Sequence, residues 1–170
     1  MEESNSWKKW LNYGLATRPF VEDVVETLVV DSPHDTRYVR LRDLQTWHVE
    51  FETERRHAEA ALWQASLLLQ LAATPPEDPA LPGEFVTITA GDGHDAARLA
   101  LPEIRAELGK QLGYPFFAAV PNRDFCIAWS NDYALAAQST AEIQEYFATR
   151  GHPISPHVFR VEADRIELAQ

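Results

Sequence analysis

The chain has 170 residues, 45% of them hydrophobic, with five Trp, eight Phe and five Tyr; that is enough apolar material for a core without disulfide staples. Its formal charge of −11, from 15 basic and 26 acidic residues, argues against nucleic-acid binding, because a phosphate backbone rewards clustered Lys and Arg. The single cysteine, Cys126, cannot bridge internally, MEESNSWKKW lacks the apolar core of a signal peptide, and every apolar run falls short of the roughly 18–20 residues of a spanning helix, so a soluble cytoplasmic protein is expected, with no membrane partner.

From the N-terminus, SNSWKKWLNYG predicts a short helix: Ser4 or Ser6 caps it, Trp7, Trp10 and Leu11 share a face, and Gly14 ends it. Pro19 then opens a second short helix through Val21, Val24, Val25 and Leu28. In TLVVDSPHDTRYVRL, two β-rich runs flank Ser32-Pro33-His34-Asp35, which predicts a hairpin. Leu44, Trp47, Val49 and Phe51 suggest a further helical piece. From Glu54, the row Ala58, Ala61, Leu62, Ala65, Leu68, Leu69 and Ala72, widened by Leu67 and Leu71, reads as a central buried helix. Adjacent basic residues are confined to Lys8-Lys9 and Arg55-Arg56.

TPPEDPALPG has four prolines in ten residues and favours neither helix nor ladder. It is taken as a linker, 74–84, between an N-terminal helical and hairpin lobe, 1–73, and a C-terminal α+β lobe, 85–170. The two lobes are expected to form one compact unit. Beyond the linker, FVTITA predicts a strand. Asp95 is the expected N-cap of a helix with Ala97, Leu101, Ile104, Leu108 and Leu112 on one face, kinked or split at Pro102 and stopped at Gly113. FFAAVPNRDFCIAWS predicts a hairpin. Asn131 or Asp132 then caps a helix that turns Leu135, Ile143, Tyr146 and Phe147 inward, and VFRVEADRIELA closes the chain as a second hairpin. The expected fold class is α+β: a mixed sheet with a central buried helix, and a C-terminal strand–helix–hairpin–helix–hairpin unit.

Gly91-Asp92-Gly93-His94-Asp95-Ala96 has the outline G-x-G-x-x-A between a strand and a helix, the form of a dinucleotide-binding turn. If 95–112 is one helix of about 27 Å, strands 85–90 and 116–120 become parallel neighbours ending at one edge. That edge would gather Asp92, His94, Asp95, Asn122, Arg123 and Asp124, the candidate binding residues; a sharp bend at Pro102 would instead allow antiparallel strands and break the convergence. A dinucleotide site lacks its acidic ribose ligand and its second crossover. An anion site on Arg123 is opposed by three carboxylates. A divalent-metal site has oxygen donors but no enforcing spacing. The plain structural reading is a turn that glycine permits and Asp95 caps, with Arg123 pairing across the rim to Asp92 or Asp95.

The stretches AGDGHDAARLALPEI, FFAAVPNRDFCIAWS and HPISPHVFRVEADRIEL resemble the YtpQ-like proteins, a bacterial family without an established activity. DTRYVRLRDL, followed by a helix near Glu54, also fits their layout, and near the proline-rich stretch this chain is the shorter. The resemblance implies that Gly91, Asp92, Asn122, Arg123 and Asp124 belong to the fold's signature, and it brings no catalytic residue, metal ligand or cofactor. The function expected is therefore a non-catalytic adaptor or accessory module whose acidic surface meets a basic protein partner. The alternative is a metal- or phosphate-assisted hydrolase built on 91–95 and 122–124.

Overall fold

A computed structural model describes residues 13–32 and 35–169. The chain divides into two units, Met1–Gln64 and Ala65–Gln170. The helix expected over SNSWKKWLNYG and the turn residues Pro33 and His34 lie outside the described residues, apart from Tyr13 and Gly14.

The first unit contains two antiparallel hairpins, β1 (Thr17–Val21) with β2 (Val24–Thr27), and β3 (Val29–Ser32) with β4 (Asp35–Tyr38). The helix expected from Pro19 is thus a strand. Val21, Val24, Val25 and Thr27 are β-branched, which favours extended backbone, and Glu22 at φ 49 turns the chain. Helix α1 (Leu41–Trp47) ends at His48, which is left-handed at φ 57. Val49 and Phe51 then fold back onto a small core of Ala16, Leu28, Val39 and Leu44.

Helix α2 (Phe51–Ser66) occupies the place of the expected central buried helix, but among its residues only Ser66 is buried. Leu67 and Leu68, extending its apolar row, are 53% and 93% exposed. Charged side chains fill the first turns, where Arg55 pairs with Glu52 at 2.9 Å and also with Glu59. An alanine-rich stripe with so little side-chain area gives little reason for burial.

The second unit is α+β. Its five-stranded sheet has the order β5 (Phe85–Ile88), β7 (Phe125–Ser130), β6 (Phe116–Asn122), β8 (Val158–Val161), β9 (Ile166–Leu168). Every pairing is antiparallel, so the expected mixed sheet is corrected to an antiparallel one. The segment 95–112 is split as Pro102 allows: a 3₁₀ turn, Ala96–Ala100, then helix α3 (Pro102–Leu112), with Leu101 extended at ψ 122 between them. Proline stands at the first helical position, where its missing N–H costs nothing.

Alternation along the strands makes two buried faces. Val86, Ile88, Phe116, Ala118, Cys126, Ala128, Phe159 and Val161 fall on one face by register, and the 3₁₀ turn and α3 pack against β7. On the other face, Ala119 and Trp129 pack with Tyr133 and with Ile143 of α4 (Ala136–Thr149).

The proline-rich stretch belongs to this second unit and is docked onto it. Thr74 exchanges two backbone hydrogen bonds with Phe85, of 2.8 and 2.9 Å, so the loop between them is closed at its base. Within the loop, the Glu84 carbonyl accepts the Ser130 N–H at 2.9 Å, and the Pro82 carbonyl accepts the Ala134 N–H at 3.1 Å.

Candidate functional site

The expected convergence of the two loops occurs by a different route. Because β5 and β6 each pair antiparallel with β7, they point the same way, separated by one strand rather than adjacent. Residues 89–95 and 123–124 therefore emerge at one edge, where the Ala96 N–H donates to the Arg123 carbonyl at 3.1 Å. The HPIS segment joins them: the Arg123 N–H donates to the His152 carbonyl at 3.0 Å, and the Ile154 N–H to the Pro121 carbonyl at 3.0 Å.

At the centre of this rim lies Arg98, a residue absent from the sequence-based set. Its side chain is fully buried. Nη1 and Nη2 form a fork on the two oxygens of Asp92, with Nη1 at 2.8 Å from Oδ1. Nη1 also reaches Asp95 Oδ1 at 3.1 Å, and Nε donates to Ser66 Oγ at 3.0 Å. Asp95, itself fully buried, accepts the Ala90 N–H at 2.8 Å and the Gly91 N–H at 3.4 Å. Asp95 is thus not the side-chain cap expected for the following helix. Its carboxylate turns back to hold the strand exit, where two N–H groups and a guanidinium compensate its buried charge.

Of these three charged residues, Arg98 lies within the 3₁₀ turn Ala96–Ala100, Asp95 immediately precedes it, and Asp92 sits in the bend before it. Asp92 also accepts the His94 N–H at 3.1 Å, closing a side-chain-stabilised turn between Gly91 (φ 74) and Gly93 (φ 80).

The Arg98 guanidinium, with help from the His94 amide, draws the Asp92 carboxyl from its ordinary 3.8 down to about 2. A depressed folded-state value stabilises the fold above the ordinary carboxylate range, and this contribution fades as pH falls through 3.8 toward 2. The Asp92 side chain is 38% exposed, so solvent screening tempers the effect. Urea titrations of the wild type and Asp92→Asn should converge as pH is lowered across this window. A stability gap that stays constant would show that Asp92 carries no such charge linkage.

Of the other expected residues, Arg123 and Asp124 are solvent-accessible, whereas Asn122 is buried. Arg123 pairs with its neighbour Asp124 at 2.9 Å, rather than with Asp92 or Asp95, and its guanidinium lies over Gly93. The Asn122 side-chain oxygen accepts the Asp124 N–H at 3.0 Å, which shapes the two-residue hairpin turn. Among the described residues, no group of three or more His, Cys, Asp or Glu side chains is placed to hold a metal ion. Cys126 is buried, and desolvation beside the Asp95 charge pushes its thiol up to about 12, which leaves no thiolate for nucleophilic chemistry near neutral pH. No helix among the described residues is long and apolar enough to cross a membrane.

Comparison with protein-family models, curated proteins and solved structures returns no match for this chain.

Proposed function

We propose that this chain is a non-catalytic adaptor or accessory module that works through protein contacts, its acidic surface meeting a basic protein partner. The observation that carries the reading is that the rim's charges are already engaged with one another. Asp92 and Asp95 are spent on Arg98 and on backbone amides, and Arg123 on Asp124. The net charge of −11 then acts at the surface, where it steers association with a basic partner. Kinship with the YtpQ-like proteins is part of the same proposal and supplies no activity of its own.

A pull-down from cell lysate across a salt series tests the reading. The expected result is one stoichiometric basic protein, held at low ionic strength and released as salt screens the charges. No retained protein at low ionic strength would overturn it. The rival, a metal- or phosphate-assisted hydrolase at 91–95 and 122–124, predicts thermal stabilisation by Mg²⁺, Mn²⁺, Ca²⁺ or phosphate esters that Asp92→Ala or Arg123→Ala abolishes. The adaptor reading predicts none.

A further inference from the structure

The first unit carries a surface of the opposite sign. Arg37, at the end of β4, and Arg40 and Arg42, around the start of α1, line a concavity of about 390 Å³ together with Leu15, Tyr38 and Asp43. All three arginines are exposed. Among the described residues, Asp43 is the one acidic residue in the lining, and it is already engaged. It pairs with Arg37 at 3.0 Å and accepts the Arg40 backbone N–H at 3.0 Å. Among the described residues, Arg40 and Arg42 have no carboxylate at ion-pair distance, and Asp43 reaches Arg42 only as a longer-range charge, so neither guanidinium is tied up in a direct pair.

Aromatic surface lies beside them. Tyr38 is 53% and Trp47 42% exposed, and the Arg37 guanidinium sits over the Trp47 ring at 5.6 Å. Arginine, tyrosine and tryptophan are the residues in which interface binding energy concentrates, and the guanidinium fork matches carboxylate geometry.

We propose that this concavity docks an acidic peptide segment of a protein partner, with carboxylates on Arg40 and Arg42 and an apolar side chain against Tyr38. The proposal rests on the protein-binding reading and adds a second contact of opposite polarity. A peptide is favoured over a nucleic acid by charge. The net charge of −11 repels a long polyanion, whereas a short segment interacts within a Debye length of about 8 Å and feels mainly the local arginines.

The test is fluorescence anisotropy of a labelled Glu/Asp-rich peptide containing one Phe, against the full chain and the Arg40→Gln/Arg42→Gln double variant. Both positions are exposed, and a thermal melt verifies that the variant folds. The expected result is saturable binding that weakens with salt and falls at least about tenfold in the double variant. Absent binding, or binding equal in both proteins, overturns the proposal. So does a single-stranded oligonucleotide that binds tighter than the peptide, or self-association of the chain that the double variant abolishes, which would assign the patch to a second copy. If the lysate partner is still captured while the peptide fails, the patch is rejected and the adaptor reading stands.

Discussion

Replacing Arg98 with alanine should destabilise the second unit by about 3–5 kcal/mol, the usual cost of removing one partner from a buried ion pair. The change leaves the fully buried Asp95 carboxylate with only the Ala90 and Gly91 amides, and it leaves Ser66 without its guanidinium. It also removes both guanidinium bonds to Asp92, leaving that carboxylate with the His94 N–H. For a chain of this length the melting temperature should drop on the order of 10 °C. Arg98→Lys should recover only part of the loss, because one ammonium cannot address Asp92, Asp95 and Ser66 along separate directions as the planar guanidinium does. A melt within about 2 °C of the wild type, about half a kcal/mol for a chain of this size, would mean that the buried pairs contribute little.

The second large effect is expected at Gly83. Its φ of 89° is left-handed, and an added Cβ would lie 2.3 Å from the Tyr133 Cα and 2.7 Å from the Tyr133 nitrogen. Those are backbone atoms that cannot rotate aside. Gly83→Ala should therefore cost about 3 kcal/mol, backbone strain and overpacking together. It should also pull the end of the proline-rich loop off Ser130 and Ala134. Gly91→Ala is the matched control: its φ is 74°, but nothing lies within 4 Å of the added carbon, so only the conformational cost of about 1–2 kcal/mol remains. Urea denaturation of the two variants measures the difference. Equal losses would mean that the docking of the loop contributes nothing.

These two positions also mark what the sequence could and could not convey. Short-range pattern was legible wherever strand alternation and turn chemistry agreed. The hairpins turning within Pro121–Asp124 and at Ala163-Asp164 and the break at Pro102 were readable from local residues, although the first strand runs on through Pro121 and Asn122. Misreadings arose where long-range pairing decided the outcome. Nothing local to 85–90 or 116–120 tells that β7 inserts between them, so the shared rim was anticipated through the wrong neighbour. TPPEDPALPG looks like a linker because prolines prevent regular structure, yet carbonyls flanking Gly83 serve as acceptors for β7 and the chain beyond it.

Arg98 was hidden for a simpler reason: an arginine within A-A-R-L-A reads as the solvated side of a helix. The signal that could have exposed it was the pair of aspartates just upstream, Asp92 and Asp95, which together offer a buried arginine its partners. The arginines of the first unit escaped notice in a similar way. Arg37, Arg40 and Arg42 are not adjacent in the chain, and only the passage from β4 into α1 gathers them around one concavity.

Asp95 and Arg98 are bound to one another in the interior of the second unit. A double-mutant cycle on Asp95→Asn and Arg98→Met, followed by urea denaturation, tests this most directly. Each single change should destabilise strongly, and the pair together should cost less than the sum, with a coupling of about 2 kcal/mol between two buried, bonded groups. Single changes that are each mild and strictly additive would contradict it, and would show that Asp95 and Arg98 are not bound to one another in the folded protein.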